Sequence, residues 1–287
     1  MQGIGTVMAN FKFRKLMRKN LVYFLLIAGS IVFLIPFLWM LSTSLKGGQS
    51  EIFSFPPQWI PKKLYWQNYT EALAIYPWLT FLKNSCIITF VGLTGTILSS
   101  SIVAFGFARL QFPGRDILFL VLLSTLMIPY HTTLIPMYIL FTRLGWVNTL
   151  KPLYVPNFFG SAFFIFLLRQ FYLGIPLELD DAARIDGCNT FQIFYKILLP
   201  LTKPALVTVG ILQFMAAWND FLGPLIYLQS QSKYTLALGL NAFRGAYFTY
   251  WHYLMAASLL VCLPAIILFF IAQKQILGGI TISGLKV

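Results

Sequence analysis

Residues 21–41 read LVYFLLIAGSIVFLIPFLWML, an apolar run without a charged side chain. Crossing the hydrocarbon core of a bilayer takes about 20 apolar residues, so this run predicts a transmembrane helix. A signal-peptide core is shorter, about 7–15 residues, and is followed by a small-residue cleavage site. No such site follows, and we interpret the run as a retained span. The preceding 20 residues contain only basic charges: Lys12, Arg14, Lys15, Arg18 and Lys19.

The composition excludes a soluble protein. Hydrophobic residues make up 58% of the 287 residues and charged residues only 10%, whereas about a quarter of a soluble domain is charged. An ordinary soluble enzyme, a disordered tail and a nucleic-acid-binding domain are therefore excluded, and no nucleic-acid partner is expected. The net charge of +13 is interpreted as loop charge, because Lys and Arg in loops orient membrane helices.

Five further runs are long and apolar enough to cross a bilayer, which predicts an all-α membrane protein with six transmembrane helices. The basic N-terminus is expected in the cytoplasm, and six crossings return the C-terminus there. We see no internal repeat, so residues 21–273 are predicted to form one membrane domain between a cytoplasmic segment, 1–20, and a cytoplasmic tail, 274–287. The five further runs are 84–108, 117–142, 152–168, 204–228 and 253–273.

The 169–203 loop, predicted to be cytoplasmic, carries an acidic cluster and the pattern of two short helices. Acidic side chains at 178, 180 and 181 suit the first turn of a helix, where the helix dipole favours negative charge. Gly187 then permits a left-handed turn, and Asn189 or Thr190 can cap a second helix. The acidic residues are Glu178, Asp180, Asp181 and Asp186.

The second predicted helix has an apolar stripe at helical spacing, formed by Phe191, Phe194, Ile197 and Leu198. Pro200 limits its length. An apolar stripe in a loop that faces water has to pack against something. Packing on the chain's own membrane domain, as interfacial helices do, and docking on a partner are both open on this evidence.

This loop resembles a known motif. Asp181-Ala182-Ala183, Gly187 four residues later, and Ile197-Leu198-Leu199-Pro200 after nine more match the spacing of the EAA motif. That motif marks the membrane subunits of bacterial ABC importers. Its pattern is Glu-Ala-Ala, three residues, Gly, nine residues, Ile-x-Leu-Pro, so Asp181 replaces the usual Glu. Segments 105–115, 179–187, 218–225 and 273–281 also resemble the carbohydrate branch, in particular its MalG-like permeases, and the match covers nearly the whole chain.

The resemblance implies a type I ABC importer (MetI-like) permease fold with cytoplasmic coupling helices. It implies a bacterial cytoplasmic membrane, a second homologous permease subunit, an ABC ATPase dimer and an extracytoplasmic solute-binding protein. The chain has no G-x-x-x-x-G-K-[ST] sequence, so ATP and Mg²⁺ are expected on the ATPase, and neither a cofactor nor a catalytic residue is expected here. The implied coupling residues are Asp181, Ala182, Ala183, Gly187, Phe191, Phe194, Ile197, Leu199 and Pro200.

Three polar residues are candidates for the substrate pathway. Asp220 is the only acid within a predicted span, where a lone carboxylate is costly unless it is paired or hydrated. Asp220 either caps a helix break before Gly223 or faces the pathway together with Asn219. His131, between two prolines, either hydrogen-bonds freed backbone carbonyls or lines the cavity.

The three cysteines, Cys86, Cys188 and Cys262, are odd in number and widely spaced, which indicates neither a disulfide framework nor a metal site. The resemblance implies import of a sugar or oligosaccharide. The alternatives are a non-sugar solute such as glycerol phosphate, and an ion-coupled secondary transporter. The latter usually has internal repeats and several intramembrane charges. An intramembrane enzyme is not indicated, because the spans carry no paired carboxylates.

Overall fold

The computed structural model describes residues 2–245 and 248–283, with side chains described from 16 to 273 in these ranges. In chain order its α-helices are α1 (Gln2–Ser44), α2 (Gln49–Ile52), α3 (Gln67–Ile75), α4 (Trp78–Arg109), α5 (Arg115–Ser124), α6 (Tyr130–Arg143), α7 (Lys151–Tyr154), α8 (Ala162–Leu173), α9 (Glu178–Ile185), α10 (Thr190–Gln192), α11 (Leu199–Leu201), α12 (Lys203–Trp218), α13 (Leu222–Tyr227), α14 (Leu236–Asn241) and α15 (Trp251–Ser283). Three 3₁₀ turns cover Thr125–Met127, Val155–Phe159 and Gln231–Lys233, and a π-helical turn covers Ile193–Leu198.

Four helical stretches in the described ranges are long and apolar enough to cross a membrane: Leu16–Ser44, Trp78–Arg109, Lys151–Leu173 and Trp251–Gln273. Two bent pairs bring the number to six if each pair forms one span: Arg115–Met127 with Tyr130–Arg143, and Thr190–Leu201 with Lys203–Trp218. The prediction of an all-α membrane protein is confirmed.

The predicted span 117–142 is not one continuous helix. The chain bends by 97° between its two halves, and Ile128 is extended, with φ −81° and ψ 114°. Pro129 explains the break, because proline has no N–H to donate and disfavours helical backbone at the residue before it. The polypeptide resumes as α6 at Tyr130.

The predicted helix over 204–228 is also interrupted. α12 ends at Trp218 and α13 begins at Leu222, so Asn219 and Asp220 lie in the break. A continuous helix would require an N–H at Pro224, which proline lacks, whereas proline is tolerated in the first turn of a new helix. α12 has 16 residues, a length of about 24 Å.

The chain divides into two compact units. The first contains residues 1–75 and 243–260. The segment that follows α1 is held to the end of that helix by Ser42 Oγ, which donates to Trp59 O at 2.5 Å. The Asn68 amide donates to Ser44 O and Lys46 O at 2.8 and 2.9 Å.

The second unit contains residues 76–242 and 261–287, and α4 is its central helix. α8, α12 and the Val155–Phe159 turn pack against α4. Close approach requires glycine at two positions. A Cβ at Gly92 would lie 2.6 Å from Asn157 Nδ2, and one at Gly95 would lie 2.6 Å from Phe158 Cδ2. This packing places the 169–203 loop beside the C-terminal end of α4.

Candidate functional site

The 169–203 loop folds as the sequence predicts up to its second helix. α9 carries Glu178, Asp180 and Asp181 in its first turn. Gly187 has a φ of +82°, a left-handed conformation that side chains with a Cβ rarely adopt. Asn189 Oδ1 then accepts from Gln192 N at 2.9 Å, and Gln192 Oε1 accepts from Asn189 N at 2.8 Å. This capping box satisfies both backbone donors and begins the second helix.

The second helix is not regular. After one turn of α10 the backbone widens into the π-helical turn Ile193–Leu198, and α11 follows without a gap. Such π turns occur mostly as single insertions in α-helices, frequently at functional sites. The Thr202 side chain does not cap α12. Its Oγ1 donates instead to Leu198 O and Leu199 O, both at 2.9 Å. The run Thr190–Leu201 then meets α12 at a bend of 76°.

One face of the loop packs on the chain's own membrane unit. Ala183, Ile193, Phe194 and Leu198 are buried in a cluster with residues of α4, α8 and α12. The rings of Phe194 and Phe105 lie 5.1 Å apart. Ile197 and Leu199 are partly buried against the same cluster. This apolar packing holds the loop against α4, α8 and α12.

The opposite face is exposed, and it consists of Asp181, Ala182, Ile185, Phe191 and Tyr195. Ile185 is 88% exposed and Phe191 is 66% exposed, although both are apolar. Asp181 pairs with Arg184 at 3.1 Å, one turn away, in a pair that is itself exposed. Gly187 and Pro200 are also exposed. We call the five residues listed first the exposed face.

A buried ion pair that was not predicted from the sequence joins α9 to α4. Asp180 Oδ2 lies 3.3 Å from Arg109 Nε, with side chains that are 4% and 3% exposed. Burial raises the pKa of Asp180, and the positive charges of Arg109 and Arg184 oppose this rise without cancelling it. Helical spacing offered a signal, because Asp180 shares a face with buried Ala183, whereas Asp181 shares one with Ile185.

Comparison with known proteins identifies the family. The family model for binding-protein-dependent transport system inner membrane components matches residues 96–280, more than half of the chain. The chain belongs to this family. It is 38% identical over 218 residues to the arabinooligosaccharides transport system permease protein AraQ of Halalkalibacterium halodurans, covering 76% of this chain and 77% of that one.

Other ABC permeases match over almost the full length. The permease is 30% identical over 269 residues to the probable starch degradation products transport system permease protein AmyC of Thermoanaerobacterium thermosulfurigenes, covering 94% and 97% of the two chains. A solved bacterial ABC transporter involved in import of the acidic polysaccharide alginate superposes with a TM-score of 0.77. It is 22% identical and covers 87% and 93% of the two chains. That likeness shows the MetI-like permease fold.

The permease's three candidate pathway residues have different environments. Asp220 is half-buried, and its Oδ1 accepts from Gly223 N at 3.1 Å in the first turn of α13. Asn219 is exposed, and its Nδ2 donates to Met215 O at 2.8 Å. His131 lies exposed in the first turn of α6, with its ring 6.0 Å from that of Tyr130. Among the described residues no group of three His, Cys, Asp or Glu side chains could hold a metal ion.

Proposed function

We propose that this ABC permease forms half of a translocation pathway for a sugar or oligosaccharide, and that a separate ATPase drives it through the exposed face of the 169–203 loop. The observation that carries the proposal is the exposure of Ile185. An isoleucine that is 88% exposed, two residues before a left-handed glycine, lies on an element whose other face is buried. Apolar surface of this kind, rimmed by charged residues, is typical of a protein–protein contact.

The coupling has to be mechanical, because the chain lacks a phosphate-binding loop sequence. The buried face of the loop supports such a role, since Ala183, Phe194 and Leu198 pack it against helices of the membrane unit. Packed interfaces move as rigid bodies and shift between discrete arrangements. A push on the exposed face would therefore reach α4, α8 and α12. Asp181, in the first turn of α9, is proposed to pair with a basic residue of the ATPase.

The proposed substrate class rests on the relatives and on the charge of the spans. AraQ and AmyC are named for arabinooligosaccharides and starch degradation products. The apolar parts of the predicted spans contain no Lys or Arg, the residues that an anionic solute favours. Uptake of glycerol phosphate, an anionic solute, tests whether the pathway excludes anions. His131, Asn219 and Asp220 are the proposed pathway residues.

The remaining components follow from the same family. We propose a second homologous permease subunit, an ABC ATPase dimer carrying ATP and Mg²⁺, and an extracytoplasmic solute-binding protein. We also propose that both termini lie in the cytoplasm of a bacterial cell, so that the 169–203 loop faces the ATPase. The basic residues before α1's apolar run support that orientation.

The test is co-purification with a matched pair of variants. Ile185→Glu places a charge on the exposed face, whereas Ile60→Glu places one at an isoleucine of similar exposure, 84%, in the segment between α2 and α3. We expect a stoichiometric ATP-hydrolysing subunit with the wild type and Ile60→Glu, and at least a tenfold loss of it with Ile185→Glu.

Uptake by vesicles containing the whole complex then identifies the substrate class. We expect ATP-dependent import of arabinotriose or maltotriose and none of glycerol 3-phosphate. Purified permease that imports a solute alone, driven by an ion gradient, would contradict the proposal, as would equal retention of the ATPase by both variants.

A further inference from the structure

The C-terminal end of α4 is fastened to the 169–203 loop by its last residue. Arg109 Nη2 donates to Ile175 O at 2.8 Å, and Arg109 Nε lies 3.3 Å from Asp180 Oδ2 in α9. The arginine side chain is 3% exposed. One guanidinium thus contacts the loop both before α9 and within it, which ties α4 to the helix that carries three of the five exposed-face residues.

A second arginine strengthens the same end of α4 without contacting α9. Arg169 Nε donates to Phe107 O at 3.2 Å, and its guanidinium lies 4.2 Å above the ring of Phe119. α4 is thereby tied to α8 and α5 independently of Arg109. Among the described residues, Arg109–Asp180 is the only ion pair that joins α4 to α9.

The pair is costly and incompletely satisfied. Taking two charges out of water costs several kcal/mol per ion unless hydrogen bonds satisfy the remaining atoms. Asp180 Oδ1 and Arg109 Nε have no hydrogen-bond partner in the described part of the chain, and both are buried. A buried ion pair of this kind is therefore weak evidence for a purely stabilising role.

We infer that Arg109 and Asp180 are positioning residues that transmit the movement of α9 directly into α4, so that ATP hydrolysis is coupled to a movement of α4 as well as of the helices that flank the loop in sequence. The inference rests on the proposed function. Their contacts join two elements of the chain, α4 and the α9 segment, and each residue is inferred to act through the element to which it belongs. The exposed pair Asp181–Arg184 lies within α9 itself and cannot serve this purpose.

The first experiment measures uptake per ATP hydrolysed in vesicles with the whole complex. The substrate is whichever of arabinotriose or maltotriose the wild type imports. Asp180→Asn keeps the side-chain shape and removes the charge. We expect ATP hydrolysis to continue and imported sugar per ATP to fall about tenfold. Asp116→Asn is the control, because Asp116 is paired with Arg115 in an exposed ion pair, with Asp116 itself 73% exposed.

A purely structural role gives a different result. Hydrolysis and uptake would then fall together, in proportion to the amount of assembled complex, and this outcome would overturn the inference. An unchanged ratio in Asp180→Asn would overturn it too. Arg109→Lys, which keeps the charge but loses the second N–H that reaches Ile175, provides a milder variant if Asp180→Asn fails to assemble.

A distance measurement needs no sugar. Spin labels at Ile102→Cys in α4 and Asp186→Cys after α9, with the three native cysteines replaced by serine, report the separation of the two elements. We expect the same narrow distance distribution without nucleotide and with Mg·ATP and vanadate, and a broadened one in Asp180→Asn. A distribution that Asp180→Asn leaves unchanged would refute the link. If the wild-type permease purifies without an ATPase, the proposed function is refuted instead.

Discussion

Asp180 and Asp181 are adjacent in the sequence and have opposite environments. The Asp180 side chain is 4% exposed and lies against Arg109, whereas that of Asp181 is 67% exposed and pairs with Arg184 in its own helix. An exposed pair of this kind contributes about 0–1 kcal/mol, whereas breaking a buried one costs about 3–5 kcal/mol. Composition alone treats the two carboxylates as equals. Only the helical phase of α9, together with the position of Arg109, separates a structural contact from a surface available to a partner.

Asp220 is best tested with two substitutions. Its carboxylate accepts from Gly223 N, so Asp220→Ala removes a cap and should cost about 1 kcal/mol of stability. Asp220→Asn keeps an acceptor and should leave the unfolding temperature of the purified complex unchanged. Uptake by Asp220→Asn then reports on the charge alone, and we expect it to fall if the carboxylate faces the pathway.

A substitution at Gly223 serves as a control for the uptake measurement on Asp220→Asn. A Cβ at Gly223 would lie 2.5 Å from Asp220 Oδ2, so Gly223→Ala displaces the same carboxylate without changing its charge. Wild-type uptake by Asp220→Asn at wild-type stability would remove Asp220 from the pathway and leave it as a capping residue.

At the scale of the element, the helix–turn–helix of the 169–203 loop was predictable because each of its signals is local. Acids in a first turn, Gly187 and the Asn189 cap depend only on nearby backbone groups, and all three occur as predicted. The apolar stripe predicted a regular second helix, but the backbone contains a π turn at Ile193–Leu198. The residues of that turn pack against α4 and α9. The periodicity of the sequence carries no information about these contacts.

Gly187 provides the prediction for this element. Its φ of +82° costs a β-branched residue at least about 1–2 kcal/mol, although there is open space around its Cβ position. Gly187→Val should reorient α9 relative to α10 and lower ATP-driven uptake at least about tenfold. The amount of permease in the membrane should stay the same, as measured by immunoblot.

Two further variants separate strain from position. Gly145 has a φ of +67° and equally open space, so Gly145→Val introduces similar strain outside the loop and should retain uptake. Gly187→Asn should retain most of the activity, because asparagine tolerates left-handed backbone. Equal loss in Gly145→Val and Gly187→Val would mean that general strain, and not the turn beside the exposed face, is responsible.

The spans were predictable as apolar runs but not as continuous helices. All six apolar runs of the sequence are mostly helical, because hydropathy decides which segments enter a membrane. Hydropathy does not show where a helix bends or ends. Pro129 bends one run by 97°, and α12 ends at Trp218 although its run continues. Whether a bent pair crosses the bilayer or re-enters on the same side depends on its neighbours.

This question decides the side on which the exposed face lies. With a cytoplasmic N-terminus and six crossings, four spans precede α9 and the 169–203 loop is cytoplasmic. If the bent pairs are re-entrant, only three spans precede it and the loop lies outside, although the C-terminus is cytoplasmic in both cases. The position of the C-terminus therefore cannot distinguish the two topologies, whereas the position of Ile185 can.

We predict the six-span topology, because the proposed ATPase contact requires a cytoplasmic loop. In a variant with all three native cysteines replaced by serine, Ile60→Cys should react with a membrane-impermeant maleimide in intact cells. In cells that lack the ATPase, which would otherwise cover this position, Ile185→Cys should react only after the membrane is permeabilised. Both positions are highly exposed, at 84% and 88%, so accessibility within the fold does not separate them. Labelling of Ile185→Cys in intact cells would place the exposed face outside, where no cytoplasmic ATPase can reach it, and would refute the predicted topology.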